Sequence, residues 1–400
     1  MSLIDRLNDV DTWEKFYRYK MSLGCPKRIA KRLRVFIDEK RFESVYDCVV
    51  SGVRFPLPQK AVISKMSTQK KRTVYTYPED ENMVLKLLTY LLLRKYDYLF
   101  ESNLYSFRPG RTVKDAIRCF LRTDGIGNMY SYKVDISNYF NSVPVDRLVP
   151  VMEEVLSDDP ELLCFLKGLL EEEFVLDQGV EIKEQKGIMA GVPLASFFAN
   201  LYLRELDSWF AGEGVPYARY SDDIILFAQS PEEVERYAQK VREFLTSKGL
   251  SVNPSKESFC TPDEGWVFLG FQFRSGAIDI APASVAKIKA KMRRKTRALM
   301  RWSKRRGEPA ERAAAAFIRI FNKKLFEKTD DNDLTWSLWY FPVINTTESL
   351  VEIDHYAQDC LRYLLTGKHT KSRFNVKYED LKELGYKSLV NEYYKVEECE

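Results

Sequence analysis

Residues 219–227 read RYSDDIILF, with two adjacent aspartates between apolar arms. The pattern predicts a β-hairpin whose tight turn contains Asp222 and Asp223. One interpretation is an ordinary Asp-rich turn, since such tetrads arise by chance in many proteins. The other interpretation starts from the cost of burying unpaired charge, which a divalent cation removes. Because carboxylate oxygens suit Mg²⁺, the stretch is a candidate metal site.

A second candidate carboxylate lies upstream, in the stretch YKVDISNYF at residues 132–140. The alternation of apolar and polar residues predicts a strand, and an aspartate inside a strand is disfavoured. If this strand lies beside the hairpin, Asp135 and Asp222 can hold two metal ions, the arrangement used for in-line phosphoryl displacement. The alternative is an edge-strand aspartate that faces water.

Several motifs follow one another in a definite order. They are Asp135 with Phe140 five residues on, GVP at 191–193 leading into FANL at 198–201, YSDD at 220–223, and FLGF at 268–271. From about Lys65 to about Arg274 the chain resembles reverse transcriptases, specifically bacterial enzymes related to group II introns. The resemblance implies an α+β right-hand polymerase with an RRM-like palm and two Mg²⁺ ions, with Mn²⁺ as an alternative. It implies RNA-directed DNA polymerase activity.

The resemblance also predicts a division of the chain and a set of site residues. The N-terminal extension and fingers would span 1–130, the palm 131–280 with a helical insertion at about 145–186, and the helical thumb 281–400. The predicted catalytic residues are Asp135, Asp222 and Asp223, which with Ile136 would bind the metal ions. The predicted dNTP-binding residues are Lys65, Arg72, Phe140, Gly191 and Lys256. The predicted nucleic-acid contacts are Arg108, Arg111, Lys289, Arg293, Arg294 and Arg297, with a primer grip at Leu269 and Gly270.

Some of these residues also have an ordinary structural interpretation. Lys65 and Arg72 are residue types common on exposed hairpins. Phe140 is either a core ring or, as in the family, a steric gate that collides with a 2′-OH. Arg108 either contacts the template strand or braces its own loop. Lys256 either acts near the triphosphate or is a surface lysine.

The sequence in and after the glycine-bearing loop at residues 187–196 points to a particular group of reverse transcriptases. Ala190 stands where most relatives have Gln, and PLASFFAN at 193–200 resembles bacterial defence-associated reverse transcriptases. That likeness implies a noncoding RNA as template partner, complementary DNA as product, and a role in anti-phage defence. Two rivals stay open: a template-independent or protein-primed DNA polymerase of the same fold, and a maturase-like RNA-binding protein.

Composition limits these hypotheses. The chain has 400 residues, 45% apolar and 30% charged, which predicts a globular protein of two or three subdomains. The chain has two histidines, both in its last fifty residues, which argues against histidine-based catalysis. Its seven cysteines include no Cys-x-x-Cys pair, which argues against zinc sites and disulfides and favours a reduced, cytoplasmic setting. No apolar run is long enough to span a membrane. Residues 287–306 contain eleven Lys or Arg and no acidic residue, which predicts a polyanionic partner.

Local patterns predict the main elements. Two short strands, Ile63–Lys65 and Lys70–Tyr75, would be joined by a polar turn. Predicted helices cover about 80–100, 145–180, the region from the glycine-bearing loop at 187–196 to Leu206, 231–248, and the chain from about Ala281 to the end. Residues 1 to about 64 are also predicted to be mainly helical.

Overall fold

The computed structural model describes residues 2–64, 71–327 and 335–397. Contacts between residues divide the chain into two compact units, Met1–Pro262 and Asp263–Glu400. The predicted assignment of fingers, palm and thumb to residue ranges stays a prediction. Within the described ranges, no helix combines the length and apolar character that a membrane crossing requires.

The first unit is mainly helical and is built around one long buried helix. Its helices are α1 (Val10–Ser22), α2 (Lys27–Asp38), α3 (Phe42–Val50), α4 (Glu79–Lys95), α5 (Val113–Leu121), α6 (Tyr139–Ser142), α7 (Val145–Val155), α8 (Pro160–Glu171), α9 (Ala195–Tyr202), α10 (Arg204–Gly212) and α11 (Pro231–Ser247). Leu85, Leu88 and Leu92 of α4 are fully buried. Their i, i+3, i+7 spacing places them on one face, as the apolar periodicity predicts.

Within residues 2–64 and 71–262, the strands of the first unit form two four-stranded sheets. They are β1 (Gln59–Ser64), β2 (Lys71–Thr76), β3 (Tyr130–Asp135), β4 (Phe174–Asp177), β5 (Val180–Lys183), β6 (Tyr217–Tyr220), β7 (Asp223–Ala228) and β8 (Ser258–Cys260). The strand orders are β2-β1-β4-β5 and β6-β7-β3-β8. The second sheet, called the central sheet below, is antiparallel throughout.

The central sheet is buried on both faces at β7. Ile224, Ile225, Leu226 and Phe227 are consecutive and all fully buried, and successive strand residues point to opposite faces. Helix α11 packs against β3 and β7. Its first turn is capped by Ser230, whose hydroxyl accepts a hydrogen bond from the Glu233 amide at 3.2 Å.

The helical prediction for 145–180 is wrong over its last quarter, residues 172–180. Helix α8 ends at Glu171, and the hairpin β4–β5 follows. Gln178 and Gly179 both have positive φ, 52° and 85°, the geometry of a two-residue hairpin turn. Strand β4 also pairs in parallel with β1, and this long-range pairing overrides the local helical pattern. The single helix predicted to end near Leu206 is likewise interrupted at Leu203, between α9 and α10.

The second unit consists of a small sheet and helices. Its strands are β9 (Trp266–Phe268), β10 (Phe271–Arg274) and β11 (Ala277–Ile280), in the order β11-β10-β9. Its helices are α12 (Pro282–Arg306), α13 (Ala310–Phe326), α14 (Trp336–Tyr340), α15 (Glu348–Thr366), α16 (Tyr378–Glu383) and α17 (Leu389–Glu397). Most of the described residues after Ala281 are helical, as predicted, although loops such as 341–347 and 384–388 interrupt the helices.

Candidate active site

Three aspartates meet at one end of the central sheet. Asp135 is the last residue of β3 and lies opposite Asp223, the first residue of β7. Asp222 occupies the tight turn between β6 and β7, where the preceding Ser221 has a φ of 61°. The amide of Ile136 donates a hydrogen bond to the Asp222 carbonyl at 3.0 Å, which fixes the turn against β3. Carboxylate oxygens of the three aspartates lie within 4.8 Å of one another.

The surroundings of Asp222 and Asp223 penalise the ionised forms of these two carboxyl groups. Asp135 is 5% exposed. Burial and the nearby Asp135 charge raise the pKa of Asp222, against the opposing charges of Lys256 and Arg72. Burial also raises the pKa of Asp223 to about 6. A positive charge at the site would therefore favour the ionised forms of Asp222 and Asp223.

The cluster fits a divalent cation. Its donors are carboxylate oxygens, which hard ions such as Mg²⁺ and Mn²⁺ prefer. The ammonium of Lys256 already contacts the Asp135 carboxylate, so the cluster accepts positive charge where the metal is expected. Asp135, Asp222 and Asp223 are thus suited to hold a metal ion. The predicted contribution of Ile136 stays a prediction.

The turn that contains Asp222 is held by a buried ion pair that sequence reasoning missed. Arg219 is fully buried and donates two hydrogen bonds to Asp207 of α10, at 2.8 and 2.5 Å. Its guanidinium also donates to the carbonyls of Asn200 and Ser221, at 3.2 and 3.3 Å. Burial acts to lower the pKa of Arg219, but the charge and hydrogen bonds of Asp207, with smaller contributions from Tyr139 and Tyr217, together outweigh it and raise that pKa. The only sequence signal was an arginine between apolar strand positions.

A second network supports β3 from the side of β8. Glu257 accepts hydrogen bonds from the Tyr132 hydroxyl at 2.7 Å and from Arg242 at 2.8 Å. Burial acts to raise the pKa of Glu257, but these two hydrogen bonds outweigh it and lower the pKa below its ordinary value of 4.5. The ionised carboxylate therefore helps to attach α11 and β8 to the strand that contains Asp135.

The glycine loop before α9 packs closely against β2. Gly191 has a φ of 102°, and a Cβ there would lie 2.8 Å from the Tyr75 carbonyl oxygen. The amide of Tyr75 donates to the Ala190 carbonyl at 2.8 Å. Asn141 joins the same two elements, because its side chain accepts from the Ala190 amide and donates to the Thr73 carbonyl. Sequence reasoning missed Asn141, since a polar residue after Phe140 gives no distinctive signal.

The structure brings some predicted nucleotide-binding residues together. Phe140 is half-buried in α6, directly after β3. Arg72 is exposed on β2, and its charge is near enough to Asp222 to act on the pKa of that carboxyl. Lys256 contacts Asp135. Lys65 lies outside the described residues.

Arg108 is occupied by acceptors of its own unit. Its side chain is 6% exposed and donates to both carboxylate oxygens of Asp97, at 2.8 and 3.1 Å. It also donates to the main-chain carbonyls of Glu101 and Leu104. These contacts favour the interpretation that Arg108 braces its loop. Arg111, predicted to contact nucleic acid, is exposed.

The remaining predicted contacts belong to the second unit. Leu269 and Gly270 form the turn between β9 and β10, with φ of 50° and 91°. On α12, Lys289 pairs with Glu352 at 2.7 Å. Arg293, Arg294 and Arg297 of the same helix are exposed. This cationic helix is available to a polyanion.

Just over half of the chain, residues 63–273, matches the family model described as reverse transcriptase (RNA-dependent DNA polymerase). Protein YkfC of Escherichia coli (strain K12) is 23% identical over 61% of this chain and 71% of its own length. The group II intron-encoded protein LtrA of Lactococcus lactis subsp. cremoris is 21% identical over 51% of this chain and 34% of its own length. The retron Ec86 reverse transcriptase of Escherichia coli is 24% identical over 42% of this chain and 50% of its own length. The chain thus spans a third of LtrA and half of the retron enzyme.

Solved structures of telomerases also align with this chain. Telomerase from Candida albicans, in complex with the TWJ fragment of telomeric RNA, gives a TM-score of 0.46 and 11% identity over 88% of this chain and 71% of that chain. Apo telomerase from Candida tropicalis gives a TM-score of 0.47 and 12% identity over 83% of this chain and 60% of that chain.

Proposed function

This chain belongs to the reverse transcriptase family, and from that premise we propose that it copies a noncoding RNA into DNA with Asp135, Asp222 and Asp223 as its catalytic carboxylates. RNA-directed DNA polymerase activity follows from the family. The single observation that supports the assignment of residues is the convergence of the three carboxylates within 4.8 Å at the end of the central sheet. The right-hand polymerase fold of the family accounts for this antiparallel sheet and the helical second unit.

In this proposal Asp135, Asp222 and Asp223 hold two Mg²⁺ ions. When bound, the ions supply activation of a primer 3′-hydroxyl and neutralisation of the charge on the leaving pyrophosphate. The protein's part is to keep the carboxylates fixed, which the Arg219–Asp207 pair and the Ile136 amide do. Because the donors are held before the substrate binds, little reorganisation is needed at the moment of reaction.

Two cationic side chains would bind the triphosphate. Arg72 is exposed on β2, and Lys256 lies at Asp135 with its side chain 49% exposed. Cations at these places neutralise the oxygens of a triphosphate, as charge-assisted hydrogen bonds do in other phosphate sites. Phe140 would lie beneath the sugar, where its ring would collide with a 2′-hydroxyl and favour deoxynucleotides.

The noncoding RNA template, the role in anti-phage defence and the cytoplasmic setting are the finer parts of the proposal. The template and the defence role are supported by the PLASFFAN motif at 193–200 and by the similarity to an enzyme named as a retron reverse transcriptase. The cytoplasmic setting is supported by the seven cysteines without a Cys-x-x-Cys pair. Sequencing of RNA and DNA that copurify with the protein tests the template. One abundant RNA with complementary DNA is expected, whereas DNA without complementary RNA would favour template-independent synthesis.

The catalytic assignment is tested by nucleotide incorporation on an RNA template with a DNA primer. Asp222→Asn is expected to reduce incorporation by at least about 100-fold, the scale of removing one preorganised electrostatic group from an active site. Asp124→Asn, a change of an exposed aspartate in the same unit, is the matched control and is expected to leave the rate unchanged. An Asp222→Asn protein with the wild-type rate would refute the assignment.

A further inference from the structure

A partly exposed aromatic ring, that of Phe107, lies against two residues that neighbour the catalytic aspartates in the sequence. Phe107 is 40% exposed. Its ring centroid lies 6.4 Å from that of Phe140 and 6.3 Å from that of Tyr220. Phe140 follows Asp135 by five residues, and Tyr220 pairs with Asp223 across the hairpin. The ring of Phe107 therefore lies between α6, which follows β3, and the end of β6, which precedes the aspartate turn.

The backbone at Phe107 is held in a conformation that bulky residues disfavour. Its φ is 60°, in the left-handed region, where an L-residue costs about 1–2 kcal/mol relative to the right-handed helix. The residue before it, Ser106, is fully buried and exchanges two hydrogen bonds with Asn200, at 3.0 and 2.8 Å. The residue after it, Arg108, is fixed by Asp97. Both neighbours are thus locked, and a locked strained residue is typical of functional sites.

The geometry indicates the class of ligand that would cover the ring. A glycine would adopt this backbone without strain, yet the position has a large apolar ring with much of its surface exposed. A flat apolar group that covers such a ring beside a phosphoryl-transfer site is a nucleobase, since aromatic side chains stack on bases irrespective of sequence.

We propose that Phe107 contacts the base at the 3′ end of the primer, as the third side of an aromatic cup formed by Phe107, Phe140 and Tyr220. This inference rests on the proposed function. Phe140 is the ring assigned to the sugar of the incoming nucleotide, and Tyr220 lies two residues before Asp222. A ring between them lies at the step between the incoming nucleotide and the primer end.

The structural alternative is that Phe107 only packs against the other two rings. That alternative does not explain why the Phe107 ring is 40% exposed or why its backbone is held at a strained φ of 60°. The two interpretations differ in one measurable respect. A packing role changes stability alone, whereas a contact with the base makes the effect of a substitution depend on whether that base is present.

The experiment is a thermodynamic cycle between the ring and the base. Incorporation of one nucleotide by the full chain is measured on an RNA template with an intact primer and with a primer whose last nucleotide lacks its base. Phe107→Ala is expected to lower kcat/KM about 5- to 100-fold on the intact primer, the range for loss of one base–aromatic contact. Phe107→Tyr is expected to restore most of it. Removal of the base also breaks its pairing with the template and should lower both values, but the drop should be larger for wild type than for Phe107→Ala, by about the factor that the substitution costs on the intact primer.

Controls separate this inference from folding and from the proposed function. Phe259→Ala removes a ring of similar exposure, 42%, on β8 outside the cup, and should keep the wild-type dependence on the base. If Phe107→Ala unfolds at lower temperature, Phe107→Leu, which retains apolar volume without a flat ring, replaces it in the cycle. Additive effects of ring and base would overturn the inference and leave polymerisation intact. A wild-type chain that incorporates nothing on the intact primer would overturn both.

Discussion

The ion pair between Arg219 and Asp207 provides a quantitative test of how the aspartate turn is held. Both side chains are shielded from solvent, at 0% and 1% exposure. Arg219→Met removes the cation but retains an unbranched side chain of comparable length. It leaves the Asp207 carboxylate buried, with the Tyr217 hydroxyl at 2.9 Å as a remaining hydrogen-bond donor.

The expected cost follows from this burial. Breaking a buried pair by removing one partner destabilises a protein by about 3–5 kcal/mol, because the other charge stays uncompensated. Asp207→Leu should cost a similar amount for the same reason. The double variant removes both charges, so no uncompensated charge stays buried. It still loses the hydrogen bonds to the Asn200 and Ser221 carbonyls, each worth about 1 kcal/mol. Because these losses are smaller than the cost of an unpaired buried charge, the double variant should be more stable than either single variant.

The assay is urea unfolding of the full chain, followed by tryptophan fluorescence and circular dichroism. The free energies of unfolding of wild type, both single variants and the double variant form a cycle whose coupling energy is expected to be about 3 kcal/mol. Arg236→Met is the matched control. Its guanidinium is 69% exposed and pairs with Glu233 at 3.4 Å, so its cost should stay within about 0.5 kcal/mol.

Two results would contradict this reasoning. A cost below about 1 kcal/mol for Arg219→Met, similar to the exposed control, would mean that the pair does not support the turn. Additive single costs in the double variant would mean that Arg219 and Asp207 stabilise the unit independently, each through its other neighbours.

Three other perturbations have defined outcomes. Gly191→Ala should lower the free energy of unfolding by about 1–3 kcal/mol through its strained φ alone and abolish nucleotide incorporation through the clash with β2. Gly52→Ala, where nothing lies within 4 Å of the added Cβ, should leave incorporation intact. Glu257→Gln should flatten the pH dependence of the free energy of unfolding below about pH 4.5. A carboxyl group whose pKa is lowered in the folded state stabilises fully above that pH and loses its contribution as the pH falls through the lowered value. An unchanged acid dependence would show that the ionised Glu257 does not stabilise the fold. Arg293→Ala should reduce the slope of log affinity for a primer–template duplex against log salt concentration by about 0.9, if it contacts one phosphate; an unchanged slope would remove it from the interface.

The catalytic carboxylates could be found from the sequence because the relevant pattern is local. Two aspartates in a predicted turn and one inside a predicted strand are anomalous in the sequence itself, since charge between apolar residues requires compensation. The order of the motifs then identified the family, which the family match over residues 63–273 confirms. The long helix α4 and the capped helix α11 were also evident, because their periodicity and caps are contained within a few turns.

Other parts of the site could not be predicted, because they depend on residues far apart in the chain. Asp207 and Arg219 lie on different elements, and nothing in either neighbourhood indicates that they pair. The joining of the glycine loop to β2 by Asn141 depends on contacts across 68 and 49 positions. Strand β4 lies in the stretch 145–180 that was predicted as helix, because its parallel pairing with β1 is invisible to local pattern.

The sequence by itself determined the family, the class of fold and the carboxylates expected to bind metal, since element periodicity and turn chemistry are set by neighbouring residues. Only the tertiary structure decided what holds those carboxylates in place and which side chains stand free around them. Arg108 was shown to be occupied by Asp97, whereas Phe107 beside it was shown to be exposed. That difference arises from packing, because burial and pairing of a side chain depend on which distant elements the folded chain brings to it.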